Sequence, residues 1–247
     1  MYYYLYDNYS KEYIMFFTLF VLIISDLPLI FFILLDVYKF SCLEKYRINY
    51  NSIRKYPTNI ELKDGLKHSL YNLFIIILPI TFIGIYLANY INFFPYNMNR
   101  ELPSNIYCIF NIIFILIGSD ILFYILHRTM HTPYLYKKFH KIHHTYKEPF
   151  ALTNHYLDST ELILFFIPPV IPCIIINTHI YIMWISIILL NWNGIFIHSG
   201  YNFTNKYLKY FTPAIIEHDI HHKLFNYNFG ATFTFMDKLF GTYKNYI

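Results

Sequence analysis

Long apolar runs alternate along this chain with short polar, basic segments. A helix that crosses hydrocarbon needs about 20 mainly apolar residues. Residues 13–35 meet that length, although Asp26 and Pro28 interrupt them. Residues 70–94 form a second run and 106–126 a third. Segments 162–176 and 179–197 are each short or broken, and Pro168, Pro169 and Pro172 punctuate the former. This predicts a re-entrant pair or a tight helical hairpin. The expected architecture is all-α: a polytopic membrane protein with about four spans, or three spans plus a re-entrant helical pair. The first run has no basic n-region and no small-residue cleavage site, so it reads as an anchor rather than a removed signal peptide. No internal repeat or low-complexity linker is visible.

Composition agrees with this pattern. Of 247 residues, 56% are hydrophobic and 14% charged, against about 25% charged in a soluble domain. Disorder, a collagen-like fibre and a disulfide scaffold are excluded. The net charge of +4, from 19 Lys+Arg and 15 Asp+Glu, is too weak for a nucleic-acid partner. Cys42, Cys108 and Cys173 match no zinc or redox spacing and read as reduced, apolar fillers. The charges also orient the spans. Segments 36–69 (with Arg54), 127–161 and the tail after 198 (with Lys206 and Lys209) are basic, whereas 1–12 carries only Lys11 and 95–105 only Arg100. The positive-inside rule puts the three basic segments in the cytosol if the fourth and fifth runs enter and return together. The N-terminus would then be lumenal.

Nine of twelve histidines stand in register. His127 and His131 lie in His-Arg-Thr-Met-His. His140, His143 and His144 lie in His-Lys-Ile-His-His, and His218, His221 and His222 in His-Asp-Ile-His-His. His198 stands alone before Ser199-Gly200. Residues three and four apart share a helix face, so each cluster is expected to present two or three imidazoles to one point. Neutral imidazole is the commonest side-chain metal ligand near neutral pH. Nine exceed one tetrahedral zinc site and suit two metals. Nitrogen-rich sites with open positions suit iron and oxygen chemistry, though ligand type does not exclude zinc. The alternative is three solvated basic faces near lipid headgroups, or a metal-binding membrane protein without catalysis.

The order His-x-x-x-His, His-x-x-His-His, His-x-x-His-His between apolar spans resembles the fatty acid hydroxylase/sterol desaturase superfamily of membrane-bound di-iron oxygenases. The resemblance extends to Ser119-Asp120 and Tyr124 before His127-Arg128, and to Asn154-His155 with Asp158. It continues through His198-Ser199-Gly200-Tyr201 and from Asn228-Phe229 to Asp237-Lys238-Leu239-Phe240-Gly241-Thr242. Tyr156, Asp158, Gly194 and Glu217 depart from the family pattern. A tenth ligand position is therefore open, to water or an Asn such as Asn193.

The resemblance implies residues 1–105 as anchor spans with a basic cytosolic loop, and 106–247 as the catalytic domain. It implies two Fe ions, O2, and electrons from an external donor of the cytochrome b5 and NAD(P)H reductase type. The substrate would be a lipid of the endoplasmic reticulum membrane. A sterol oxidised at the C-4 methyl or similar is the leading reading; sphingoid-base or fatty-acyl hydroxylation and sterol desaturation are alternatives. Asp120 lies two helical turns before His127, and an acid inside a span is a functional candidate. It is expected to accept the far N–H of a ligand imidazole. Asp219, Asp158 and His155 are further supporting candidates. Arg128 is expected to pair with a carboxylate or a headgroup. Asp26 has no visible partner, and His68 and His179 are expected not to be ligands.

Overall fold

The computed structural model describes residues 10–49, 55–91, 96–99, 101–203 and 214–245. Arg54, Arg100, Lys206 and Lys209, counted in the charge argument, lie outside these residues, as do 92–94 of the second apolar run.

Helix α1 (Lys11–Ile24) starts at Ser10, whose hydroxyl accepts the Tyr13 N–H. It ends because Pro28 cannot donate to the preceding turn. The chain breaks at Ser25-Asp26 and resumes as α2 (Leu27–Tyr38). Helix α3 (Asn59–Tyr71) opens on a capping box between Thr58 and Glu61. It passes through a π-helical turn, Asn72–Ile77, into α4 (Leu78–Tyr90). The second long helix therefore begins well before position 70, because the capping box starts it in a polar stretch that hydropathy alone ignores. Next come α5 (Asn105–Met130), α6 (Pro133–Leu135), a run of π and 3-10 turns to His155, and then α7 (Ser159–Leu164) and α8 (Ile167–Ile175). Helix α9 (Ile180–His198) runs back, and α10 (Ile215–Leu224) and α11 (Phe235–Leu239) close the described chain.

Among the described residues, four helical stretches are long and apolar enough to cross a bilayer: Lys11–Tyr38, Asn59–Ala88, Asn105–Met130 and Ile180–His198. The proline-rich Ser159–Ile175 pair is shorter. Exposed Phe16, Phe20, Ile30, Phe74, Ile83, Phe110 and Phe114 give these helices apolar outer faces, as a hydrocarbon solvent requires. Between the helices, Ile14, Val21, Ile115, Ile180 and Trp184 form one core cluster. Leu29, Phe32, Leu62, Leu152, Ile195 and Tyr201 form another. Cys173 is buried in the first and Cys108 packs against it, but Cys42 is exposed in a 3-10 turn and fills nothing.

The two ends of the bundle are tied differently. At one end, Asn97 N–H donates to Thr178 O (2.8 Å) and Ile180 N–H to Asn97 O (3.0 Å). At the other, Ile48 N–H donates to Gly200 O (3.0 Å) and Asn202 N–H to Tyr46 O (2.7 Å). The second end also holds the C-termini of α2, α5 and α9 and the start of α3. All the histidine clusters gather there. A strap of residues 150–157 crosses it and is gripped by α3. Gly65 lets the strap approach, since a Cβ there would come within 3.1 Å of Leu152 and 3.2 Å of Phe150. Ser69 Oγ donates to Leu152 O (3.3 Å), and Asn72 Nδ2 donates to His155 O (2.8 Å) and Leu157 O (3.1 Å).

Exposed Lys141 and Lys238 belong to the imidazole end of the bundle and exposed Glu101 to the other. In a background where Cys42, Cys108 and Cys173 are replaced by Ser, Lys141→Cys and Lys238→Cys should react alike with a membrane-impermeant maleimide in sealed vesicles. Glu101→Cys should react only from the opposite face. Labelling of all three from one face would contradict the bundle.

Candidate metal centre

The nine clustered histidines form two groups. His127, His131, His140, His144 and His221 make one; His143, His198, His218 and His222 make the other. Within each group the facing ring nitrogens all lie within 4.8 Å of one another. Each His-x-x-His-His motif is thus shared, contrary to the expectation of one point per cluster. His140 and His144 join the first group and His143 the second; His218 and His222 join the second and His221 the first. In α10 helix geometry explains the split, whereas residues 140–144 reach the same division through π and 3-10 turns. Positions i and i+4 lie about 40° apart around a helix, while i+3 and i+4 diverge by about 100°. Neighbouring imidazoles therefore serve different centres.

Backbone carbonyls set the protons. His127 Nδ1–H donates to Phe229 O (2.8 Å), His221 Nδ1–H to Tyr227 O (2.7 Å) and His198 Nδ1–H to Gly194 O (2.7 Å). His222 Nδ1–H donates to Tyr146 O at 3.2 Å. A carbonyl can only accept, and a neutral imidazole carries one N–H. The Nε2 atoms of these rings therefore present lone pairs inward. His221 Nε2 stands 3.2 Å from both His131 Nε2 and His144 Nε2. His198 Nε2 stands 3.2 Å from His143 Nε2 and 3.0 Å from His218 Nε2. Converging lone pairs repel unless a cation sits among them. The donor set therefore fits a pair of nitrogen-bound metal ions.

Burial keeps these rings neutral. His131 is pulled down to about 2, by burial first and by His127 next. His140, His143, His218, His221 and His222 are pushed well below the ordinary imidazole value, again by burial first and then by neighbouring imidazoles. His144 shifts the same way for the same reasons.

The supporting residues differ from the sequence expectation. Asp120 does not accept from a ligand imidazole. Two turns along α5 amount to about 10 Å, so its carboxylate sits below the imidazole layer. There it accepts the N–H groups of Thr232 (2.7 Å) and Phe233 (3.3 Å). Asp219 is buried and pairs with Lys223 at 3.5 Å. Asp158 caps α7, accepting the Thr160 N–H at 2.8 Å. Arg128 donates to Tyr124 Oη (3.0 Å) and lies near the Phe240 ring. His155 and Asp26, which had no visible partner, bind each other at 2.8 Å, and Asn191 Nδ2 also donates to Asp26 (2.8 Å). His68 bonds Leu157 O, and His179 caps α9 at the far end of the bundle.

One supporting residue was not anticipated from the sequence, and a second was read only as part of the C-terminal pattern. Glu161 is fully buried and takes the Nδ1–H of His140. An acid at the head of an apolar segment was the available signal. Asp237 accepts Phe229 N–H (2.8 Å) and Gly230 N–H (2.9 Å), and so holds the loop whose carbonyl orients His127.

Below the second group lies a cavity. His143, His198 and His218 close one end. Leu73, Ile77, Leu162, Phe165, Phe166 and Ile187 supply apolar walls, from two span-length helices and the shorter proline-rich pair. Asp26, His155 and Asn191 line one polar patch, and Ser119, Asp120, Asn193 and Thr232 another. Gly194 admits Asn154 against α9, where a Cβ would lie 2.5 Å from Asn154 Oδ1.

Purified protein should carry about two metal ions, one per group. His143→Ala and His221→Ala should each deplete a different centre. Glu161→Gln should weaken binding about 10–100-fold, as loss of a ring-orienting partner typically does. His179→Ala should cost stability but leave metal content intact, since it sits about 28 Å along α9 from His198. Metal analysis showing one ion per chain, or equal loss from His179→Ala and His143→Ala, would contradict the assignment.

A pH dependence also follows. Unfolded histidines take up protons near about 6.5, and the metal-free folded cluster refuses them. The unfolded state then binds more protons below that value, so stability falls as pH drops. The thermal midpoint of chelator-treated protein should decline between about pH 7 and 5.5. A flat profile would mean the imidazoles are not buried as described.

A family profile described as fatty acid hydroxylase matches residues 112–242. A very-long-chain aldehyde decarbonylase of Oryza sativa subsp. indica is 29% identical over 233 residues, 92% of this chain and 82% of the relative. Methylsterol monooxygenase 1 of Rattus norvegicus is 32% identical over 187 residues, 73% of this chain and 62% of the relative. A putative methylsterol monooxygenase of Dictyostelium discoideum is 32% identical over 148 residues, 59% of this chain and 54% of the relative. No solved structure is significantly similar. The profile spans more than half of the chain and includes all nine clustered histidines, and the chain belongs to the fatty acid hydroxylase family.

Proposed function

We propose that this protein is a membrane oxygenase that hydroxylates a C–H bond of a lipid, with a methylsterol as substrate. The observation that carries the proposal is the cavity: apolar at membrane depth, and closed by three imidazoles of one histidine group. A lipid can reach that end without leaving hydrocarbon. Two iron ions bound there would supply activation of O2.

The chain's own residues have three tasks. His127, His131, His140, His144 and His221 hold one ion and His143, His198, His218 and His222 the other. Phe229 O, Tyr227 O, Gly194 O, Tyr146 O and Glu161 keep the rings in the tautomer that binds metal. The walls from Leu73 to Ile187 dock the lipid and exclude water. The basic end of the bundle faces the cytosol of the endoplasmic reticulum membrane. There it can meet an electron-donor protein of the cytochrome b5 and NAD(P)H reductase type.

A second reading follows from the rice relative, which matches 92% of this chain: decarbonylation of a very-long-chain aldehyde. Reconstituted protein with iron, O2, cytochrome b5 and its reductase separates the two. A methylsterol should gain the mass of one oxygen atom, and chelation should abolish the gain. Shortened hydrocarbon from an aldehyde, or a hydroxylated sphingoid base, would redirect the assignment. Turnover that survives iron removal would overturn the oxygenase reading.

A further inference from the structure

The cavity holds hydrogen-bonding atoms that the fold leaves unused. Asn193 Nδ2 donates to Ala231 O (3.3 Å) and Thr232 Oγ1 (3.2 Å). The Ala231 carbonyl fixes this orientation, because only the amide nitrogen can donate to it. Asn193 Oδ1 therefore faces elsewhere, and it is buried without a donor. Asp120 repeats the pattern. Its Oδ1 accepts the Thr232 and Phe233 N–H groups, while Oδ2 is buried and meets no donor. Ser119 Oγ is likewise buried and unpartnered. The three residues are only 9%, 1% and 3% exposed, in the order Asn193, Asp120, Ser119. All three line the cavity that His143, His198 and His218 close. Asn193 and Asp120 both bind Thr232, so they are neighbours across one small patch.

Buried polar atoms without partners are rare, because their lost hydration is not replaced. Several around one cavity mark the place of a ligand's polar group. We infer that Asn193, Asp120 and Ser119 form an acceptor site for the hydroxyl of a lipid alcohol, so that the cavity selects an alcohol over a lipid aldehyde or hydrocarbon. The inference rests on the lipid-oxygenase reading and names the substrate feature that its cavity reads. A hydroxyl can donate to Asn193 Oδ1 or Asp120 Oδ2 while its own oxygen accepts from the Ser119 hydroxyl. An aldehyde oxygen can only accept: it can take the Ser119 hydroxyl, but it leaves Asn193 Oδ1 and Asp120 Oδ2 without a donor. A sterol offers the required donor; a long-chain aldehyde does not.

Asn193 is not placed as a metal ligand. Five residues before His198, it lies about 140° around α9 from that imidazole and about 7.5 Å along the axis. Its amide is held toward the 231–232 loop, on the side of Asp120.

The test is equilibrium binding to the metal-loaded protein in detergent. The probes are a methylsterol with a free hydroxyl, the same sterol with hydrogen in place of the hydroxyl, and a long-chain fatty aldehyde. The hydroxyl-bearing sterol should bind at least about 10-fold tighter than its deoxy analogue, the size expected for one hydrogen bond to a buried acceptor. Asn193→Leu and Asp120→Asn should each erode that ratio with metal content unchanged. Equal binding of the two sterols by the unaltered protein, tighter binding of the aldehyde, or loss of metal from Asn193→Leu would overturn the inference. The unaltered protein supplies the decisive ratio even if a variant fails to fold. Turnover measured in parallel keeps the two readings apart. A hydroxyl preference without O2-dependent product would remove the oxygenase reading and leave the acceptor site. Product formed from both sterols with equal affinity would do the reverse.

Discussion

The structure depends on the convergence of imidazole lone pairs in a dry interior. Nine rings are brought together with their Nε2 atoms facing one another, and those whose Nδ1 atoms meet carbonyls are locked in that tautomer. Without a cation this arrangement opposes folding, since lone pairs repel and burial denies them water. Cations bound there would turn it into a cross-link, joining the ends of α5 and α9 to α10 and to the turns after α6. Metal binding and the final packing of this end of the bundle are therefore one event energetically.

Much of the rest serves to hold that geometry. Glu161 fixes His140 from α7, and Asp237 fixes the Phe229 loop that fixes His127. Neither acid touches a proposed metal position. Each works through a ring or a carbonyl that does, which is how outer groups tune a metal site. The strap at 150–157 is pinned from α3 by Gly65, Ser69 and Asn72, and its His155 reaches the Asp26 exposed by the break between α1 and α2. The span-length helices near the N-terminus thus shape the cavity. Leu22, Asp26, Leu73 and Ile77 face the same space as His198 and His218.

The cavity gives the family chemistry its direction. One end meets imidazoles, the walls are apolar and come largely from span-length helices, and two polar patches interrupt them. Such a space suits a largely hydrocarbon molecule with few polar atoms. The patch on α5 and α9 leaves Asn193 Oδ1, Asp120 Oδ2 and the Ser119 hydroxyl without partners, and the one at the α1–α2 break, α9 and the strap is internally satisfied through Asp26, His155 and Asn191. The two patches therefore make different demands on a ligand, and only the first leaves acceptors for it to fill.

The sequence by itself determined the helical class, the approximate spans and the identity of the clustered histidines. Spacing is a local property: 20-residue apolar runs and three- and four-residue intervals are read without knowing where the chain goes. It could not determine how the imidazoles divide. The split of His143 from His144 arises in π and 3-10 turns that spacing does not reveal, and which imidazoles of the two clusters share a group is set only by tertiary packing. Asp120 was legible as an acid within a span, but not as the anchor of the Thr232 and Phe233 amides, 112 and 113 positions away. The partners of Asp26, 129 and 165 positions distant, were equally invisible, as was Glu161 beneath His140. Hydrogen bonds of that range leave no period in the chain. They exist only once the helices have packed and excluded the water that would otherwise satisfy the same atoms.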